Sequence, residues 1–163
     1  MDDLSKKRSA LDAGGGAVAK SGMTQTIATM TLVVADYDEA IAFYTQKLGF
    51  RLHADTDLGK GKRWVVVGPD GPGARLLLAQ ADGEKQRAAV GNQTGGRVMG
   101  FIETQDFVGD FAAMTARGVS FIEAPRHEAY GSVVVFEDLY GNKWDLIEPK
   151  GLAECGKRLS SRR

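Results

Sequence analysis

The sequence predicts an α+β fold built from two consecutive strand–helix–strand–strand–strand modules. Three observations carry that expectation. "TIATMTLVVADYDEAIAFYTQKLGF" (26–50) and "GRVMGFIETQDFVGDFAAMTARGVSF" (96–121) each open with a β-type run and then place an Asp before a helical pattern. The two caps, Asp36 and Asp106, stand 70 residues apart, and Tyr37, Ile41 and Tyr44 match Phe107, Phe111 and Met114 at that same offset. Each helical pattern then stops at a glycine, Gly49 or Gly118.

The elements follow in order from local chemistry. "IATMTLVVA" and "RVMGFIET" are rich in residues that suit a pleated, half-buried surface. A short Asp carboxylate accepts N–H groups that the first helical turn leaves unpaired, so Asp36 and Asp106 are expected as N-caps. Spacings of four and three put each apolar set on one helical face. Three strands are expected after each helix: "FRLHAD", "KRWVVVG" and "ARLLLAQ" in the first module, "VSFIEA", "SVVVFED" and "NKWDLIE" in the second. "GPDGPG" at 68–73 reads as a hairpin turn, since it lacks a phosphate-loop lysine and a following helix. The expected organisation is an N-terminal arm over 1–24, flexible or packed on a partner, and a domain over 25–150. Within the domain, module one spans 25–82, a glycine-rich linker 83–95 and module two 96–150. A basic tail covers 151–163.

Composition excludes several classes. Lys plus Arg and Asp plus Glu both number 21, so no global field draws the chain to nucleic acid or a membrane surface. Hydrophobic residues at 43% and charged residues at 26% are the balance of a soluble globular protein. The single Cys155 cannot build an intramolecular disulfide framework, and no leading apolar segment resembles a secretion signal, so a cytoplasmic protein is expected.

"LVVADYDEAIAFYTQKLGF" and "GVSFIEAPRHEAYGSVVVFEDLYGNKWDLIEP" resemble the vicinal oxygen chelate superfamily, which contains glyoxalase I, bleomycin resistance proteins and extradiol dioxygenases. The resemblance implies that the modules curve mixed sheets into a cup with helices packed outside, and that two chains pair as a homodimer. It also implies, for the metal enzymes, His, Gln or Glu ligands on the first and last strand of each module. Counting back seven residues from each cap lands on Thr29 and Met99. Counting four past the turn glycine Gly141 lands on Asp145, and the first-module counterpart is Leu77, with Arg75 as the other register. One carboxylate among a hydroxyl, a thioether and an aliphatic chain is a poor set for a divalent ion. No cofactor is therefore expected, with Asp145 the metal ligand if any metal binds.

Strand alternation gives the expected cup lining. Thr29, Thr31 and Val33 are expected inward, as are Met99, Phe101 and Glu103, and on the last strand Lys143, Asp145 and Ile147. Arg63 and Trp64 start a strand on which only one can face the cup. The loop residue His127 can reach over its mouth, Tyr130 begins the strand that follows as a polar point of the cup, and His53 is expected on the surface or an edge strand. Thr29, Thr31, Arg63, Trp64, Met99, Phe101 and His127 are the ligand-binding candidates, and Asp145, Glu103 and Tyr130 the catalytic ones. Glu103 and Asp145 are also expected to find a base such as Arg63 or Arg97, because a buried carboxylate needs a partner. The expected function is metal-independent binding of a small organic molecule. The alternative is a glyoxalase-I-like metal-dependent lyase, isomerase or dioxygenase, and a third reading is metal-free acid–base chemistry.

Overall fold

The computed structural model describes residues 25–151; the expected N-terminal arm and the tail from 152 onward lie outside them. Module one begins with β1 (Thr29–Val34), which runs into α1 (Tyr37–Ala42). Asp36 caps that helix as expected, accepting from the backbone N–H of Asp38 and Glu39 at 2.9 and 3.0 Å. The helix continues over Phe43–Lys47 as a wider π-helical turn, in which Leu48 N–H reaches back to the Phe43 carbonyl. Gly49, at φ +78°, then takes the left-handed backbone that ends it.

β2 (Arg51–Gly59), β3 (Lys62–Gly68) and β4 (Arg75–Gln80) complete the first sheet in the order β1-β4-β3-β2. β1 and β4 are parallel and the other pairs antiparallel. β2 runs four residues past its expected end, because Gly59, Lys60 and Gly61 all adopt positive φ and close a tight hairpin. α2 (Glu84–Ala89) lies in the stretch read as a linker. Its signal is the Gln86 side chain, which accepts from Asp82 N–H at 2.8 Å in the manner of a capping box.

Module two follows the same plan with one additional short strand: β5 (Val98–Glu103), α3 (Phe107–Ala116), β6 (Ser120–Phe121), β7 (Arg126–Glu128), β8 (Gly131–Glu137) and β9 (Lys143–Pro149). Its sheet runs β5-β9-β8-β6, with β7 also paired to β8. Asp106 caps α3 through Gly109 N–H at 3.0 Å. The strand read as "VSFIEA" shrinks to two residues, and part of the "PRHEAYG" loop becomes β7 instead.

One core joins the modules. Leu32, Val34, Val65, Val67 and Leu78 of the first sheet, Tyr44 of the first helix segment, Phe107 and Met114 of α3, and Val134, Phe136, Trp144 and Leu146 of the second sheet form a single buried cluster. The helix-bearing face of each sheet therefore packs into this core, leaving the helices outside the open faces as the resemblance implies. The opposite face of each sheet stays open, and those two open faces are where a ligand can be held.

Candidate site on the open face of the second sheet

β9 decides which residues share the open face. Trp144 and Leu146 are buried in the core, so Lys143, Asp145 and Ile147 stand on the other side. β9 is central, with β5 and β8 on its flanks. The Cα register places Phe101 and Val135 on either side of Asp145, Val98 and Glu137 beside Lys143, and Glu103 and Val133 beside Ile147. Gly96, Arg97, Val98, Phe101, Ile122, Val135 and Lys143 line a concavity of about 560 Å³ on this face. Its floor is apolar and offers a large ring: Phe101 is 68% exposed and Ile122 47%.

Asp145 sits between two lining residues, and its electrostatics are unusual. The residue is half-buried, its Oδ1 is enclosed, and no protein donor meets that oxygen among the described residues. Burial raises its pKa above the ordinary carboxylate value. The Arg126 charge opposes that shift and the Glu123 charge adds to it. The expected bases do not approach: among the described residues neither Asp145 nor Glu103 has a salt-bridge partner within 4.0 Å.

Arg126 is a site residue without a sequence signal, because its three-residue strand lies inside the "PRHEAYG" stretch, which has the composition of a loop. β7 pairs Arg126 with Val133 and His127 with Ser132, so the two side chains leave on opposite faces. Arg126 Nε donates to Glu123 Oε1 and its Nη1 to Glu128 Oε1, both at 3.0 Å, which holds the guanidinium beside the open face. Glu123 Oε1 also accepts from Val135 N–H at 3.2 Å. These partners, Glu123 first and Tyr130 in the same direction, keep Arg126 protonated. Tyr130 is 54% exposed in the β7–β8 turn.

Several expected lining residues stand elsewhere. Met99 packs against the core, because a bulge between Val98 and Gly100 breaks the alternation that was counted through it. Arg63 is the member of its pair that faces the helix: it donates to Asp38 Oδ1 at 2.7 Å and Asp55 Oδ2 at 2.6 Å, with its guanidinium 5.2 Å from the Tyr37 ring centre. Trp64, 46% exposed, takes the other face of β3 beside Val66. His127 turns away from the open face, its Nδ1 2.9 Å from Ser132 Oγ and its ring edge-on to Phe107. His53, on the outer strand β2, lies with Nε2 3.2 Å from the Gly68 carbonyl.

The first sheet has its own open face, with Thr29 beside Arg75 and Thr31 beside Leu77. Thr31↔Leu77 and Phe101↔Asp145 are corresponding pairs, which makes Leu77 the counterpart of Asp145. The family's four ligand positions therefore carry Thr29, Leu77, Met99 and Asp145, with Met99 turned into the core. Among the described residues no three His, Cys, Asp or Glu side chains converge on a point. This donor set does not fit a divalent ion.

The family model for the Glyoxalase/Bleomycin resistance protein/Dioxygenase superfamily matches residues 26–146. The chain belongs to that superfamily. This member is 51% identical to an uncharacterized protein of Shewanella frigidimarina (strain NCIMB 400) over 128 residues, covering 77% of this chain and 95% of the relative. Among solved structures it is similar to UcmS2, with a TM-score of 0.68 and 30% identity over 77% of this chain and 98% of that one. It is also similar to TnmS3, an antibiotic binding protein from Streptomyces sp. CB03234, with a TM-score of 0.64 and 26% identity over 79% of this chain and 99% of that one. No helix of the described residues is long and apolar enough to cross a membrane.

Proposed function

We propose that this superfamily member binds a small aromatic molecule on the open face of its second sheet, without a metal at the family's ligand positions. The observation that carries the reading is Phe101, a ring exposed over 68% of its surface on the floor of a concavity of about 560 Å³. An exposed aromatic floor with a few converging polar groups is the usual make-up of a small-ligand site. The antibiotic-binding activity of TnmS3, a structural neighbour, supports the same reading.

The protein works as a cytoplasmic homodimer in this proposal. Trp64 and Phe101, on the open faces of the two sheets, leave apolar surface for a second chain to cover around the ligand. Aromatic stacking in such a site contributes about 0.5–1.5 kcal/mol beyond the area it buries.

The test is a thermal-shift screen of untagged, chelator-stripped protein against planar aromatic acids, phenols and aromatic antibiotics, with calorimetry on every hit. Hits that bind stripped protein and weaken at least ten-fold in Phe101→Ala support the reading. A screen in which no compound binds, or in which every hit binds Phe101→Ala unchanged, overturns it.

A further inference from the structure

Two chemically distinct positions lie along the open face, one lining the concavity at Arg97 and Lys143 and one beside it at Asp145, between the lining residues Phe101 and Val135. Arg97 is exposed and Lys143 half-buried, both line it, and among the described residues neither has a carboxylate within 4.0 Å. Glu137 on β8 is the strand partner of Lys143, so that end is cationic by one net charge once Arg97 is counted. Asp145 lies two residues further along β9 on the same face, which is about 6.6 Å of strand. Its carboxylate has an enclosed oxygen with no donor, although Arg126 and Glu123 stand near enough to act on its charge. Phe101 and Val135 flank Asp145, Val98 lies beside Lys143, and Ile122 completes the apolar floor.

A ligand complementary to this surface is flat and apolar in its body. It carries an anionic group at the Arg97–Lys143 end and a hydrogen-bond donor at the Asp145 end. Resting on the aromatic-binding reading above, we propose that the ligand is a hydroxylated aromatic acid. Its carboxylate pairs with Lys143 and Arg97, and its phenolic hydroxyl donates to the Asp145 carboxylate. Asp145 is then a specificity-determining residue: a phenol satisfies it, whereas an unsubstituted ring leaves it desolvated without a donor.

The direct test uses four probes on untagged, chelator-stripped wild-type protein by calorimetry: 6-hydroxy-2-naphthoate, 2-naphthoate, 2-naphthol and naphthalene-2-carboxamide. The hydroxy acid is expected to bind about ten-fold tighter than the probe lacking either group, since each charge-assisted hydrogen bond is worth about one decade in Kd. Lys143→Met should weaken both acids about ten-fold and leave 2-naphthol unchanged. Asp145→Leu, which removes the acceptor and places there the residue type of its first-module counterpart Leu77, should erase the advantage of the hydroxy acid over 2-naphthoate. Equal affinities across the four probes, or tightest binding of the carboxamide, would overturn the polar-end assignment. If those equal affinities still fell in Phe101→Ala, aromatic binding itself would stand. Failure of all four probes to bind overturns the hydroxy-acid assignment, and the wider screen then decides the aromatic reading separately.

Discussion

Tyr44 donates its hydroxyl to Asp138 Oδ2 at 2.7 Å, a bond that ties the first helix segment to a turn 94 residues later. Asp138 is buried and collects further donors there: the Asn142 side chain at 2.8 Å and the backbone N–H groups of Tyr140 and Asn142 at 2.9 and 3.0 Å. A buried carboxylate is tolerated only when such donors replace water. The network is also why the turn "DLYGN" holds the start of β9, and with it Lys143 and Asp145, in place. Burial first, and then the Asp138 charge, push the Tyr44 hydroxyl well above its usual pKa, so it stays a donor.

Tyr44→Phe removes one donor from a buried charge and is expected to cost about 1–3 kcal/mol. Because Tyr44 belongs to the core shared by both modules, unfolding should remain one transition at a lower midpoint. Urea titration followed by circular dichroism checks both points. Two separated transitions in the wild-type protein would show that the modules do not share a core.

Gly100→Ala is expected to destabilise by about 1–3 kcal/mol through overpacking. A methyl there would meet Trp144 Cζ3 at 2.5 Å, inside the core against which the β5 bulge presses Met99. Gly71→Ala is the control, since nothing lies within 4 Å of the added carbon and the turn does not need a positive φ. Its urea midpoint should match the wild type.

Asp145 gives a pH signature. Its folded-state pKa is raised, chiefly by burial, so the folded protein holds that proton more tightly than the unfolded chain. The stabilising contribution is complete below the unfolded carboxylate pKa and is lost as pH rises through the folded value. Asp145→Asn cannot ionise, so its melting temperature should rise relative to the wild type on going from acid to neutral pH. Paired thermal melts from pH 3 to 7 read this out, and a difference moving the opposite way would mean that Arg126 outweighs burial.

Phe101→Ala should leave stability within about 0.5 kcal/mol, because an exposed side chain makes few core contacts. Ligand affinity should fall at least ten-fold in the same variant. A thermal melt beside a ligand titration separates the two effects.

Much of the fold was legible in local chemistry. Asp36 and Asp106, the stop glycines and the helical faces behind them follow from rules that act within one turn, and the structure keeps them all. The facing of β9 was legible too, since Trp144 and Leu146 could only be core. Met99 was not, because a bulge adds a residue without changing composition, and every alternation counted through it shifts by one face. Arg126 escaped notice because β7 is three residues long and carries no β-type run. Arg63 was legible as a strand residue beside Trp64 but its side was not, because the carboxylates of Asp38 and Asp55 decide it.

The central claim is that this open face holds an organic ligand and is not a metal centre. Calorimetric titration of Ni²⁺, Zn²⁺, Mn²⁺ and Fe²⁺ into chelator-stripped protein, with Asp145→Ala alongside, tests it most directly. Weak, nonspecific heats that are the same in both proteins are expected. Tight binding of one ion per chain, lost in Asp145→Ala, would contradict the claim.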